Sequence, residues 1–184
     1  MRHLLWAIAL LLSAASASAA DLRIDPTRSR AEFAVRLLWV STVSGSFEGI
    51  RGDLSIDREA RTAVVRAVLD TESIRMESAR LRRWVLAPEF FDSVHYPQIL
   101  FTSDPLPLEL ISRGGEIKGK LTMRGVTRDE TFHLQATRCP ADALAGCVLQ
   151  LQGTIDRTDF DMRGRRGALS DRVNLGMAIV LDHP

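Results

Sequence analysis

From residue 22 onward the chain alternates apolar and polar positions with a period of two, the pattern of strands buried on one face. Leu22 and Ile24 begin it; Ala31, Phe33, Val35 and Leu37 then share one face while Arg30, Glu32 and Arg36 take the other. The stretch from Val43 to Asp57 continues through Phe47, Gly52, Leu54 and Ile56, and Val65, Ala67 and Leu69 form the next inward set. Short pairs follow at Ile99 and Phe101, Leu121 and Met123, Phe132 and Leu134, and Leu149 and Leu151. The clearest run comes last, in Val173, Leu175, Met177, Ile179 and Leu181. Gly114-Gly115, Gly125-Val126-Thr127 and the loop from Cys139 to Cys147 separate these runs at hairpin spacing. Many short half-polar strands without intervening helices predict an all-β protein, an antiparallel sandwich or barrel.

One segment leaves this period. Between Met76 and Phe91 the apolar residues Leu81, Trp84, Val85 and Phe91 keep helical spacing, with Arg80, Arg82 and Arg83 on other faces. Ser73 or Ser78 is placed to cap this helix and Pro88 to end or kink it. A short helix here covers one end of a barrel, as a plug or as a lid over a cavity mouth.

The first twenty residues read as a secretory signal peptide. Arg2 and His3 precede an apolar run from Leu4 to Leu12, small residues follow, and Ala17-Ser18-Ala19 offers a cleavage site near Ala19 or Ala20. The run is shorter than the ~20 residues of a bilayer-spanning helix. The expectation is an exported soluble protein with one domain over residues 21–184. Export allows Cys139 and Cys147 to close a disulfide, which for so short a loop contributes ~2.5 kcal/mol in the chain-entropy model. A metal site would need further ligands, and His95, His133 and His183 are scattered with no metal-binding spacing.

Charge and motifs narrow the function by exclusion. With 24 Lys plus Arg against 23 Asp plus Glu, the chain lacks the basic stripe of a nucleic-acid binder. Lys118 and Lys120 are its two lysines. The remaining positive charge sits on guanidiniums, which we read mainly as compositional bias, with some arginines suited to an anionic group. No nucleophile elbow, phosphate-cradling loop or His-Glu-x-x-His helix occurs. Asp156, Asp159 and Asp161 read as a polar strand-end turn held by Arg157, His133 as a residue on the polar face of its strand, and His95 as a loop residue. Binding, without catalysis or a cofactor, is the expectation.

Several motifs together resemble the YceI-like family. They are Ile24-Asp25-Pro26 with Ser29 and Phe33-x-Val35; Ser41-Thr42-Val43-x-Gly45-x-Phe47; Glu89-Phe90-Phe91-Asp92 with Tyr96-Pro97-x-Ile99-x-Phe101-x-Ser103; Gly119-x-Leu121-Thr122-Met123-x-Gly125-Val126-Thr127; Arg157-x-Asp159-Phe160; and Ser170-Asp171-x-Val173. The resemblance implies a single lipocalin-like antiparallel barrel of about eight strands. It also implies a periplasmic protein that holds a polyisoprenoid chain, such as an isoprenoid quinone or a polyprenyl diphosphate, inside the barrel. A membrane b-type cytochrome is the partner it suggests.

On this reading the strands contribute Phe33, Val35, Leu37, Phe47, Leu54, Leu69 and Phe101 to the ligand site. The turns and the helix add Trp39, Leu81, Trp84, Phe91 and Phe160. Arg82, Arg83 and Arg163, with Arg165 and Arg166, are placed to meet a polar or anionic head or else form a solvated face. The chain departs from the family where histidines are usual, at Leu37 and Trp84. Either the ligand's head differs or is missing, or Trp39 and Trp84 fill the pocket; in that second case the protein is an interaction module with a filled barrel. An apolar mouth left at the surface would be covered in a homodimer.

Overall fold

The computed structural model describes residues 20–38, 40–140, 143–165 and 167–183. The signal-peptide reading therefore falls outside the described residues, as do Trp39 and Arg166. In chain order the strands are β1 (Ala20–Ile24), β2 (Arg30–Leu37), β3 (Ser41–Phe47), β4 (Arg51–Asp57), β5 (Thr62–Asp70) and β6 (Ile74–Met76), followed by helix α1 (Ala79–Leu86). Then come β7 (Gln98–Ser103), β8 (Leu106–Pro107), helix α2 (Leu108–Arg113), β9 (Gly115–Met123), β10 (Val126–Leu134), β11 (Val148–Asp156) and β12 (Leu169–Asp182).

Three wall strands are built in two pieces. β2 pairs along β12 from Leu169 to Ala178, and β1 continues the same edge with Arg23 opposite Asp182 and Ile24 opposite Leu181. β3 and β4 are likewise halves separated by residues 48–50, and β5 and β6 by a 3-10 turn at Thr71–Ser73. Counted this way, eight antiparallel strands run β1/β2, β3/β4, β5/β6, β7, β9, β10, β11, β12, and the last meets the first. The barrel is closed.

The hydrophobic pattern carries a mark of each break. A strand's side-chain period is two, so a loop between its halves shifts which parity faces inward. Even-numbered Leu22 and Ile24 give way to odd-numbered Ala31, Phe33 and Val35; Val43 and Phe47 give way to Leu54 and Ile56; Ala63 gives way to Ile74. At the first break Asp25 accepts hydrogen bonds from the Thr27 and Arg28 amides, an Asx turn. Buried Ser29 restores the ladder by accepting from the Val180 amide at 2.9 Å. At the third, Thr71 donates from its amide to Pro97 O and from its hydroxyl to Tyr96 O. Asp25, Ser29 and the Tyr96-Pro97 pair that accepts from Thr71 belong to the motifs quoted above.

β6 is paired with β3, and α1 packs against it. Ser78 caps α1 by accepting from the Leu81 amide, and the chain leaves the helix at Ala87 with Pro88 next, as a pre-proline residue requires. The helix is thus shorter than the periodic segment suggested. Two turns also differ from expectation. The β9–β10 hairpin turns on Arg124 and Gly125, both at positive φ, with Met123 opposite Val126. Gly114 does not make a hairpin; its positive φ ends α2, a six-residue helix too short to show a period.

The connections sort into two ends. Residues 77–97, the β2–β3 and β9–β10 turns and the β11–β12 loop gather at the α1 end. Residues 58–61, α2 and the Cys139–Cys147 loop gather at the other, where the two cysteines are joined in a disulfide with Cα atoms 6.1 Å apart.

Candidate functional site

The inward faces of the wall strands enclose an apolar cavity of about 190 Å³. β12 lines it with every second residue from Val173 to Leu181. Eight residues of strand cover roughly 27 Å at ~3.4 Å each, or about 20 Å along the axis of a barrel tilted near 40°. The space is long and thin. Val173, Leu175, Met177 and Ile179 are only half-buried although they point inward, because the surface they keep faces this lumen.

Phe33, Val35, Phe47, Leu54, Leu69, Trp84, Phe91 and Phe101 lie in the lining. Leu37, Leu81 and Phe160 do not. Leu37 is the last residue of β2, opposite Leu169, and packs beside Val35 and Val43 at the rim. The inward stripe of α1 consists of Trp84 and Val85, leaving Leu81 off the lumen. Phe160 ends a 3-10 turn (Arg157–Phe160) that departs from the wall after β11, and its fully buried ring belongs to the surrounding core.

Aromatic rings would block so narrow a bore if they crossed it. Instead they lie along the wall over inward-facing glycines. A methyl group built on Gly153 would sit 2.5 Å from Phe132 Cδ1, and one on Gly45 would sit 2.7 Å from Phe33 Cε1. Phe132 meets Phe101 edge-on with centroids 5.2 Å apart, and Phe47 links Phe33 to Phe91 at 5.9 and 5.5 Å. Ring-over-glycine packing is familiar from sheets; here it leaves the axis free.

At the α1 end Trp84 lines the cavity while remaining half-buried, meets Phe90 edge-on at 4.5 Å, and has the Arg165 guanidinium 5.2 Å above its ring. Arg124 donates to Pro88 O at 2.6 Å and to Phe90 O. Arg157, 2 % exposed, donates to Ser170 O at 2.9 Å, Gly164 O at 2.9 Å and Leu169 O at 3.1 Å, and pairs with Asp171 at 2.8 Å. The polar strand-end turn is thus held by Arg157, as expected; Asp156 also caps it through the Thr158 amide, and Asp161 pairs with Arg163. Of the head-group residues, Arg82 is committed to Ile74 O and Glu72 O, Arg163 holds Asp161, and Arg83 is exposed on α1.

The arginine excess thus has a structural use that sequence reading assigned to bias. One planar guanidinium satisfies several loop carbonyls at once, which a lysine ammonium does less well. Arg124 gave no sequence signal beyond its place before Gly125. Polar groups elsewhere in the lining turn outward: Asp53 is ion-paired with Arg66 at 3.1 Å and Glu32 with Arg30 at 3.7 Å. What the arrangement can do is bury a slender apolar chain.

The chain is similar to a UPF0312 protein of Pectobacterium carotovorum, 30% identical over 183 residues that cover 95% of this chain and 93% of that one. A UPF0312 protein of Yersinia enterocolitica is 29% identical over 176 residues, with coverage of 93% and 91%. Among solved structures, BcnA of Burkholderia cenocepacia superposes with a TM-score of 0.69 at 18% identity, covering 85% of this chain and 98% of BcnA. A polyisoprenoid binding domain from Saccharophagus degradans, implicated in plant cell wall breakdown, gives 0.65 at 16% identity, with coverage of 91% and 100%. The fold is shared with both. The sequence profile of the YceI-like domain matches residues 22–181, and the chain belongs to that family.

Proposed function

We propose that this protein is an exported, periplasmic carrier or reservoir for an isoprenoid lipid, of quinone or polyprenyl type, whose chain lies lengthwise in the barrel. The observation that carries the reading is the thin apolar lumen lined from Leu169 to Leu181. The polyisoprenoid binding domain with the same fold supports it, and the disulfide fits an oxidising compartment. Burying one CH₂ contributes ~0.8 kcal/mol, so a chain filling the lumen brings enough driving force to exceed the costs of association. Affinity comes from the tail, and the α1 end reads the head. A barrel packed solid would leave no such lumen, so nothing observed favours the interaction-module alternative.

A chain-length series tests this reading. Binding of polyprenols and quinones should strengthen with each added isoprene unit until the lumen is full, then level off. Absence of binding at every length would remove the carrier function.

A further inference from the structure

Hairpin tips are ordinarily polar and glycine-rich, because such residues accept left-handed backbone and water. The β2–β3 turn breaks that rule. Leu38 sits at φ 49° and is 58% exposed, and Val40 is 88% exposed. Three strands away around the rim, Val94 is 84% exposed and Tyr96 is 36% exposed in the segment between α1 and β7. These four side chains therefore lie on the outside of the rim rather than in the cavity. Arg36, Arg80 and Arg83 are exposed in the same end and form no salt bridge among the described residues.

We propose that the α1 end is a docking surface for an anionic lipid bilayer, with Leu38, Val40 and Val94 entering the interfacial layer and Arg36, Arg80 and Arg83 meeting lipid phosphates. Exposed apolar tips with exposed guanidiniums at the same end match the chemistry of that layer, where buried apolar area and attraction to anionic headgroups add. The opposite end is covered by α2 and the disulfide loop, and among the described residues there Val148 is the exposed large hydrophobic one. Docking by the α1 end would set the lumen's aromatic mouth against the membrane. This proposal rests on the carrier reading for its purpose, although the surface itself is independent of what fills the barrel.

Vesicle flotation of the protein purified from the cell envelope tests it, using phosphatidylcholine vesicles with and without phosphatidylglycerol. The parent protein should float with the anionic vesicles. Val40→Ser with Val94→Ser should weaken this about tenfold, and Arg80→Glu with Arg83→Glu should weaken it at least tenfold and abolish the preference for phosphatidylglycerol. Val148→Ser should change nothing. No flotation of the parent, an equal loss with Val148→Ser, or unchanged flotation of both pairs would overturn the proposal. So would a dimer that Val40→Ser with Val94→Ser converts to monomer while flotation stays the same, since the apolar tips would then serve a second copy. Lipid extracted from the same samples separates the two readings: a loaded barrel that does not float defeats docking alone, and an empty barrel that floats defeats the carrier alone.

Discussion

The two ends of the barrel are closed by different chemistry. At the disulfide end, Leu108 and Ile111 of α2 and Leu144 of the Cys139–Cys147 loop are buried. That loop is also stitched to β12, with Gly146 donating to Leu181 O and Leu181 to Cys147 O. Apolar plug, backbone ladder and covalent bond coincide. At the α1 end, segments are held by guanidiniums on carbonyls from Arg82, Arg124 and Arg157, and by Arg165 over Trp84. Leu38, Asp92, Arg124, Asp161 and Arg165 there all carry positive φ without being glycine, against Arg61 at the other end. Such backbone persists where the surroundings impose it and concentrates at functional segments. The lesson is that one end is closed by apolar packing, backbone pairing and a covalent bond, while the other is held by side-chain hydrogen bonds from arginines that lie outside the strand ladder.

Substitutions should separate the ends in order of size. Arg157→Met leaves the buried Met162, Gly164 and Leu169 carbonyls without their donor, so chemical denaturation should show a loss of ~3–5 kcal/mol, with proteolytic cleavage appearing first in residues 161–168. Cys139→Ser with Cys147→Ser should cost ~2.5 kcal/mol while leaving lipid release at the α1 end unchanged; faster release would erase the distinction between the ends. Trp84→Ala removes a half-buried ring from a solvated mouth, so we expect ~1–2 kcal/mol, below the ~3–5 of a fully buried aromatic, together with faster lipid dissociation. A large loss of stability with unchanged lipid kinetics would make Trp84 a plug. Gly153→Ala drives Phe132 off the wall, and should lower lipid capacity more than it lowers the melting temperature.

The smallest effect is one of pH. Hydrogen bonds from Thr27, then from Arg28, hold the Asp25 carboxyl far below the ordinary carboxylate range. A lowered acid stabilises the fold at pH above the unfolded value of ~3.9, and that contribution fades as pH falls toward the folded value. Asp25→Asn should therefore flatten the acid limb of the stability curve, read as melting temperature against pH, and leave neutral pH dependence unaltered in shape.

Strand content was legible because one side of each wall strand meets water and the other the lumen, which forces the alternation seen in β2 and β12. The helix was legible from the spacing of Leu81, Trp84 and Val85, and its cap from Ser78. The broken strands were written in the same alternation, as the parity change between Ile24 and Ala31 or between Phe47 and Leu54. Reading Val43 to Asp57 as one run passed over that change. The site was legible as a set of inward residues on strands, since direction follows from parity there. It was not legible for Leu37, Leu81 and Phe160, whose direction depends on where a strand, helix or turn leaves the wall. Nor could a sequence announce that Arg82 and Arg124 would be spent on carbonyls, because their partners lie in other segments of the chain.

Whether the lumen holds a long apolar chain can be read from native mass spectrometry of the protein taken from its own cellular compartment. A bound mass should survive gentle ionisation, be released on unfolding, and extract as an isoprenoid lipid, with less of it in Gly153→Ala. A protein that arrives at its bare polypeptide mass, and stays so after incubation with quinones and polyprenols, would contradict a lipid-filled lumen.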